Sequence, residues 1–86
     1  MYTLTWSTRA LDLLVELYVA LPLEEQRRLA AAVDAFNNRL KAQPLDEGES
    51  RGNGLRIAFT AGLAIRFRVN EVQRTVRVTY VKRYGR

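Results

Sequence analysis

The sequence contains no cysteine and no histidine. Without cysteine there are no disulfides and no thiol nucleophile, which fits a reducing compartment. Without histidine, the commonest metal ligand and the usual neutral-pH base are both missing. Ser/His, Cys/His and histidine-based metal sites are thereby excluded. Long apolar runs are absent too, and none approaches the ~20 residues of a membrane span. The first residues lack the charged and apolar regions of a secretory signal, so a soluble cytoplasmic protein is expected. Its 86 residues are enough for one domain, residues 1–86, with a core just large enough to stand without staples.

Acidic residues are scarce in one half only. Residues 51–86 carry nine Lys/Arg against Glu71 alone, whereas residues 1–50 carry five against eight Asp/Glu. The net charge of +5 therefore joins an acidic half to a strongly basic one. Such segregation points to a polyanionic or acidic partner for the second half. No Walker-type phosphate loop accompanies it. Gly48 to Gly54 lacks the following Lys-Ser/Thr and precedes a strand rather than a helix. Asp46, Glu47 and Glu49 form a small acidic cluster that reads as solvated loop rather than cation site.

What is present falls into two patterns. Tyr2, Leu4 and Trp6 alternate with threonines, a short strand. Ser7 or Thr5 is placed to cap a helix whose apolar positions are Ala10, Leu11, Leu14, Leu17, Tyr18 and Leu21. Pro22 stops that helix and suits the first turn of the next. The second helix carries Glu24 and Glu25 at its start, Arg39 and Lys41 near its end, and a stripe of Leu29, Val33, Phe36 and Leu40. Residues 7–42 thus read as a helical hairpin, its stripes committed to core. Gln43 to Gly54, with three glycines and a proline, reads as loop.

Three runs in the basic half then alternate apolar and basic residues: Leu55 to Phe59, Ile65 to Val69 and Val76 to Tyr80. Neighbouring side chains on a strand point to opposite faces. A tight turn at Ala61-Gly62 joins the first two runs, and Asn70 to Arg74 joins the last two with no marked turn signal. The predicted fold class is α+β, in the order β-α-α-β-β-β, with the helical hairpin on one face of a small, mainly antiparallel sheet. Leu55, Ile57, Phe59, Leu63, Ile65, Phe67, Val69, Val76, Val78 and Tyr80 are expected to meet the helices. Arg56, Arg66, Arg68 and Arg77 are expected on the opposite face. Guanidinium forks suit phosphate, so this face is a candidate cradle for a nucleic-acid backbone. Cleavage of a phosphodiester needs a proton carrier as well, and Tyr84 is the nearest candidate. As an alternative, Tyr84 is a tail residue or a partner contact.

With these features in this order, the chain resembles the RelE/ParE superfamily of bacterial toxins from type II toxin–antitoxin modules. The likeness spans the whole chain. It is carried by Tyr2-Thr3-Leu4 with Ala10 and Leu14 after it, Pro44-Leu45, Arg56 opening a strand, Gly62 to Val69, and Val76 to Arg83. The resemblance implies a toxin neutralised by an antitoxin whose acidic or amphipathic segment wraps it. RelE-like members cleave mRNA in the ribosomal A site without metal or cofactor; ParE-like members inhibit DNA gyrase without catalysis. Carried over by position, Arg56, Arg83 and Tyr84 are catalytic candidates, and Arg66 joins them as a substitute with a shifted substrate; Arg51, Arg68, Arg77 and Lys82 are the nucleic-acid-binding candidates of the basic half. The RelE-like arginine at the start of the middle strand is missing, since that stretch reads Gly62-Leu63-Ala64. Ala58 stands where a second basic residue of the first strand is common. Arg66 lies two residues beyond Ala64, on the same face and about 7 Å along. Three readings remain open: an RNA-directed toxin, a gyrase inhibitor, and an orphan domain that only binds nucleic acid or a partner.

Overall fold

The architecture comes from a computed structural model that describes residues 1–84. Gly85 and Arg86, the end of the basic tail, lie outside the described residues. Strand β1 (Thr3–Trp6) runs into helix α1 (Thr8–Val19) through Ser7, whose hydroxyl accepts from the Ala10 amide at 3.0 Å. Ser7, not Thr5, is therefore the cap. Pro22 stands at the N-cap of helix α2 (Leu23–Ala42), one residue before its first turn. Glu24 and Glu25 occupy the start of α2 and Arg39 and Lys41 its end, as the helix dipole favours.

Leu29, Val33, Phe36 and Leu40 of α2 are all buried, each contributing roughly 1.5–3 kcal/mol of apolar burial. Phe36 meets Phe67 edge-on, ring centroids 6.0 Å apart. The stripe on α1 is only partly covered. Ala10 is fully buried and Leu14, Leu17 and Leu21 pack against the core, but Leu11 and Tyr18 are exposed. No helix among the described residues is long and apolar enough to cross a membrane.

The sheet has five strands in the order β1-β5-β4-β3-β2, with β1 parallel to β5 and the other pairs antiparallel. The helical hairpin covers one face, giving the α+β arrangement expected. The expectation of an unbroken loop from Gln43 to Gly54 is corrected. After a 3₁₀ turn at Pro44–Asp46, Glu49–Gly52 forms strand β2, paired with β3 (Leu55–Thr60). Asn53-Gly54 makes the connecting turn, both with positive φ, the chemistry of a two-residue hairpin. An added Cβ at Gly54 would lie 2.6 Å from the Val69 carbonyl oxygen, so only glycine fits there.

Two further expectations are overturned, both about which face a side chain takes. In β3, Leu55, Ile57 and Phe59 do not meet the helices; Ala58 is the buried residue and Phe59 is 46% exposed. The turn at Ala61-Gly62 sets Thr60 opposite Leu63 at the start of β4 (Leu63–Asn70). Residues directly opposed in an antiparallel pair share a face. Because Leu63, Ile65, Phe67 and Val69 of β4 are buried against the helices, Thr60, Ala58 and Arg56 are carried to that side. In β5 (Thr75–Arg83), Val76 and Val78 face inward as expected, but Thr79 is an extra residue in the pairing with β4. This bulge turns Tyr80 outward and brings Val81 into the core in its place.

Candidate nucleic-acid interface

Register assembles the open face rung by rung. The first rung is Leu55, Arg68 and Arg77; the second Ile57, Arg66 and Tyr80; the third Phe59, Ala64 and Lys82. Successive rungs are two residues apart along β3 and β4, about 6.6–6.8 Å, while along β5 the bulge leaves Arg77 and Tyr80 three apart. Tyr84, two residues beyond Lys82, continues this face and packs on Phe59 with ring centroids 4.5 Å apart. The result is a surface of three arginines and a lysine interleaved with aromatic rings.

Its charges are arranged against local stability. Arg68 and Arg77 stand directly opposite each other across β4 and β5, where like charges repel. Arg68 also donates from Nη1 to the Asn53 carbonyl. Among the described residues no carboxylate lies within ion-pairing distance of Arg66, Arg68, Arg77 or Lys82. Arg66 lies instead over the Tyr80 ring, its guanidinium carbon 4.9 Å from the centroid. Paired guanidiniums without counter-ions suit an anion supplied from outside.

The eight sequence-derived site residues do not all gather here. Arg66, Arg68, Arg77 and Lys82 share the open face, with Tyr84 at its margin. Arg56 does not, contrary to expectation: it points to the helix side, where Nε donates to the Glu47 carbonyl at 2.8 Å and Nη2 to the Gly48 carbonyl at 3.1 Å. Those bonds tie the segment after α2 onto β3. The bulge at Thr79 likewise sends Arg83 to the helix side, opposite Leu63. There Arg83 lines a groove of about 510 Å³ with Leu17, Leu21, Glu25 and Arg28, and Tyr84 lines it too. Arg51 sits in edge strand β2 and pairs with Glu49 at 3.1 Å. In the acidic cluster, Glu47 and Glu49 are engaged by Arg39 and Arg51.

Sequence reading missed Tyr80, Phe59, Ile57 and Leu55 as members of the open face. For β3 a signal existed. The two-residue turn at Ala61-Gly62 by itself places Thr60, not Phe59, opposite Leu63. For Tyr80 there was none, because nothing in the run Val76 to Val81 announces a bulge.

No family model matches the sequence, and no curated protein sequence matches it significantly. Solved structures do resemble it. A chain of the chromosomal ParDE TA system from P. aeruginosa aligns with a TM-score of 0.76 at 18% identity, covering 99% of this chain and 98% of that one. For the RelBE2 toxin–antitoxin complex from Mycobacterium tuberculosis the TM-score is 0.71 at 26% identity, covering 95% and 96%. The isolated E. coli RelE toxin aligns at 0.67 and 14% identity, over 100% of this chain and 87% of that one. Element order, sheet topology and end-to-end coverage thus agree on one conclusion: this chain has the RelE/ParE-superfamily fold, in a form far diverged in sequence.

Proposed function

We propose that this protein is the toxin of a type II toxin–antitoxin module and inhibits growth by acting on translated mRNA through the open sheet face. The observation that carries the reading is the set of Arg66, Arg68, Arg77 and Lys82, held on one face without carboxylate partners among the described residues. Arg68 and Arg77 hold the phosphate backbone. Arg66 stabilises charge developing on the scissile phosphate, taking the part that Ala64 cannot. Tyr84 assists proton transfer. Arg56 and Arg83 act from the helix side, Arg56 by fixing the loop and Arg83 by lining the groove. No metal or cofactor is invoked. The partners are a ribosome carrying mRNA and an antitoxin with an acidic or amphipathic segment, in keeping with neighbours that are toxin–antitoxin complexes.

A second reading, ParE-like inhibition of DNA gyrase without catalysis, is supported by one specific arrangement. The four catalytic candidates are divided: Arg66 stands on the open face and Arg56 on the helix side, while Arg83 and Tyr84 border one groove. A binding protein tolerates that division; an enzyme needs its groups within reach of one phosphate. Induced expression with RNA-end mapping separates the two. Translation-dependent cuts that disappear in Arg66→Ala or Tyr84→Phe support mRNA cleavage. Growth arrest with intact transcripts and loss of gyrase supercoiling supports the inhibitor, and harmless overexpression leaves a non-toxic binding domain.

A further inference from the structure

The Arg66–Tyr80 pair has a third member that comes from the acidic half of the chain. Arg9, exposed on the first turn of α1, places its guanidinium carbon 5.7 Å from the Tyr80 ring centroid. Strand β1 pairs with β5 only as far as Val78, and α1 then runs beside the rest of β5. The fold thus delivers Arg9 to the edge of the open face. Apart from the Tyr80 ring, neither the helix dipole nor an ion pair among the described residues stabilises it there. A cation in the first turn opposes the helix dipole, that turn holds no acidic residue, and no carboxylate among the described residues pairs with Arg9.

We propose that Tyr80, Arg66 and Arg9 form a nucleotide subsite for single-stranded RNA. The half-buried Tyr80 ring stacks a base, and the two guanidiniums move from the ring onto the phosphates on either side of that base. Three observations converge on it. Two arginines without carboxylate partners among the described residues lie over one aromatic ring. A second aromatic platform, Phe59 with Tyr84, lies on the same face beyond Lys82. The rung spacing of about 6.6–6.8 Å suits an extended strand whose bases are splayed rather than stacked on one another. Aromatic platforms beside basic side chains favour a single strand, since bases inside a duplex present no free ring face.

The subsite rests on the open face meeting RNA, yet its test is independent of growth arrest and cleavage. Purified full-length protein is titrated into a fluorescein-labelled, mixed-sequence single-stranded RNA and its duplex, and anisotropy is followed over a salt series. Tyr80→Leu is expected to weaken single-strand binding by about ten-fold or more, since one stacked base is lost. Tyr80→Phe keeps the ring and binds like the parent. Arg9→Ala weakens binding several-fold and reduces the log–log salt slope by about 0.7, as for one lost phosphate contact on a single strand. Arg27→Ala, the same charge change at an exposed α2 position, serves as the control. Circular dichroism checks the fold of each variant. Equal binding by Tyr80→Leu and the parent overturns the subsite, as does an Arg9→Ala that behaves like Arg27→Ala, or duplex bound as tightly as single strand. If the parent binds the strand but these variants do so equally well, the subsite fails while the RNA-directed reading survives. Translation-dependent cleavage without any free-RNA binding likewise overturns the subsite and leaves that reading standing.

Discussion

The two faces of the three central strands of the sheet, β5, β4 and β3, obey different rules. On the helix face, Ile65, Phe67, Val76 and Val78 are fully buried, and Phe36 closes over Phe67. Its strand arginines include Arg56, whose donors reach two carbonyls, and Arg83, which lines the groove. On the open face, Arg68 opposes Arg77 and Arg66 leans on Tyr80, with no carboxylate in pairing distance among the described residues. One face is built for stability. The other holds charges in positions that stability alone disfavours, and such positions are the better guide to function.

Substitutions break this contrast in a graded way. Phe67→Ala, on the helix face, should lower unfolding free energy by about 3–5 kcal/mol, read from urea denaturation; a cost below about 1 kcal/mol would mean that Phe36 and Phe67 do not form the centre of the core. A comparison of two arginines is sharper. Arg56→Ala should cost about 1–2 kcal/mol by stranding the Glu47 and Gly48 carbonyls, with RNA affinity of the folded protein unchanged. Arg66→Ala should cost no more than about 1 kcal/mol in stability and weaken RNA binding. The reverse pattern would show that the faces have been assigned the wrong way round. The smallest effect carries an unusual sign. Arg77→Glu replaces a repulsive cross-strand pair with an attractive one, so thermal denaturation should show a gain of about 0.2–1 kcal/mol while RNA binding falls. A loss of stability there would remove the case that the open face sacrifices stability for binding.

Much of the fold was legible locally. Leu29, Val33, Phe36 and Leu40 recur at helical spacing and are all buried; Ser7 caps, Pro22 separates the helices, and the runs in β4 and β5 are strands. Strand β2 was less legible because Glu49-Ser50-Arg51-Gly52 has no apolar alternation; its exposed side chains leave only the backbone ladder and the Asn53-Gly54 turn to define it. The site was half legible. Arg66, Arg68, Arg77 and Lys82 are where basic residues on a half-buried strand belong. Arg9 was hidden by distance along the chain, more than seventy residues from Tyr80.

The sequence by itself determined the segregation of charge, the helical hairpin and the basic strands, because these depend on composition and on periodicities of 3.6 and 2. Periodicity alone could not decide which face each strand turns to the helices. That choice depends on register, and a one-residue change inverts every side chain. A three-residue turn after Phe59 would have buried Leu55, Ile57 and Phe59; the two-residue turn at Ala61-Gly62, backed by four buried apolar residues of β4, buries Ala58 and turns Arg56 inward instead. One extra residue at Thr79 gives Tyr80, Lys82 and Tyr84 to the open face and takes Arg83 from it. Tertiary pairing thus settled the membership of the face that periodicity had promised.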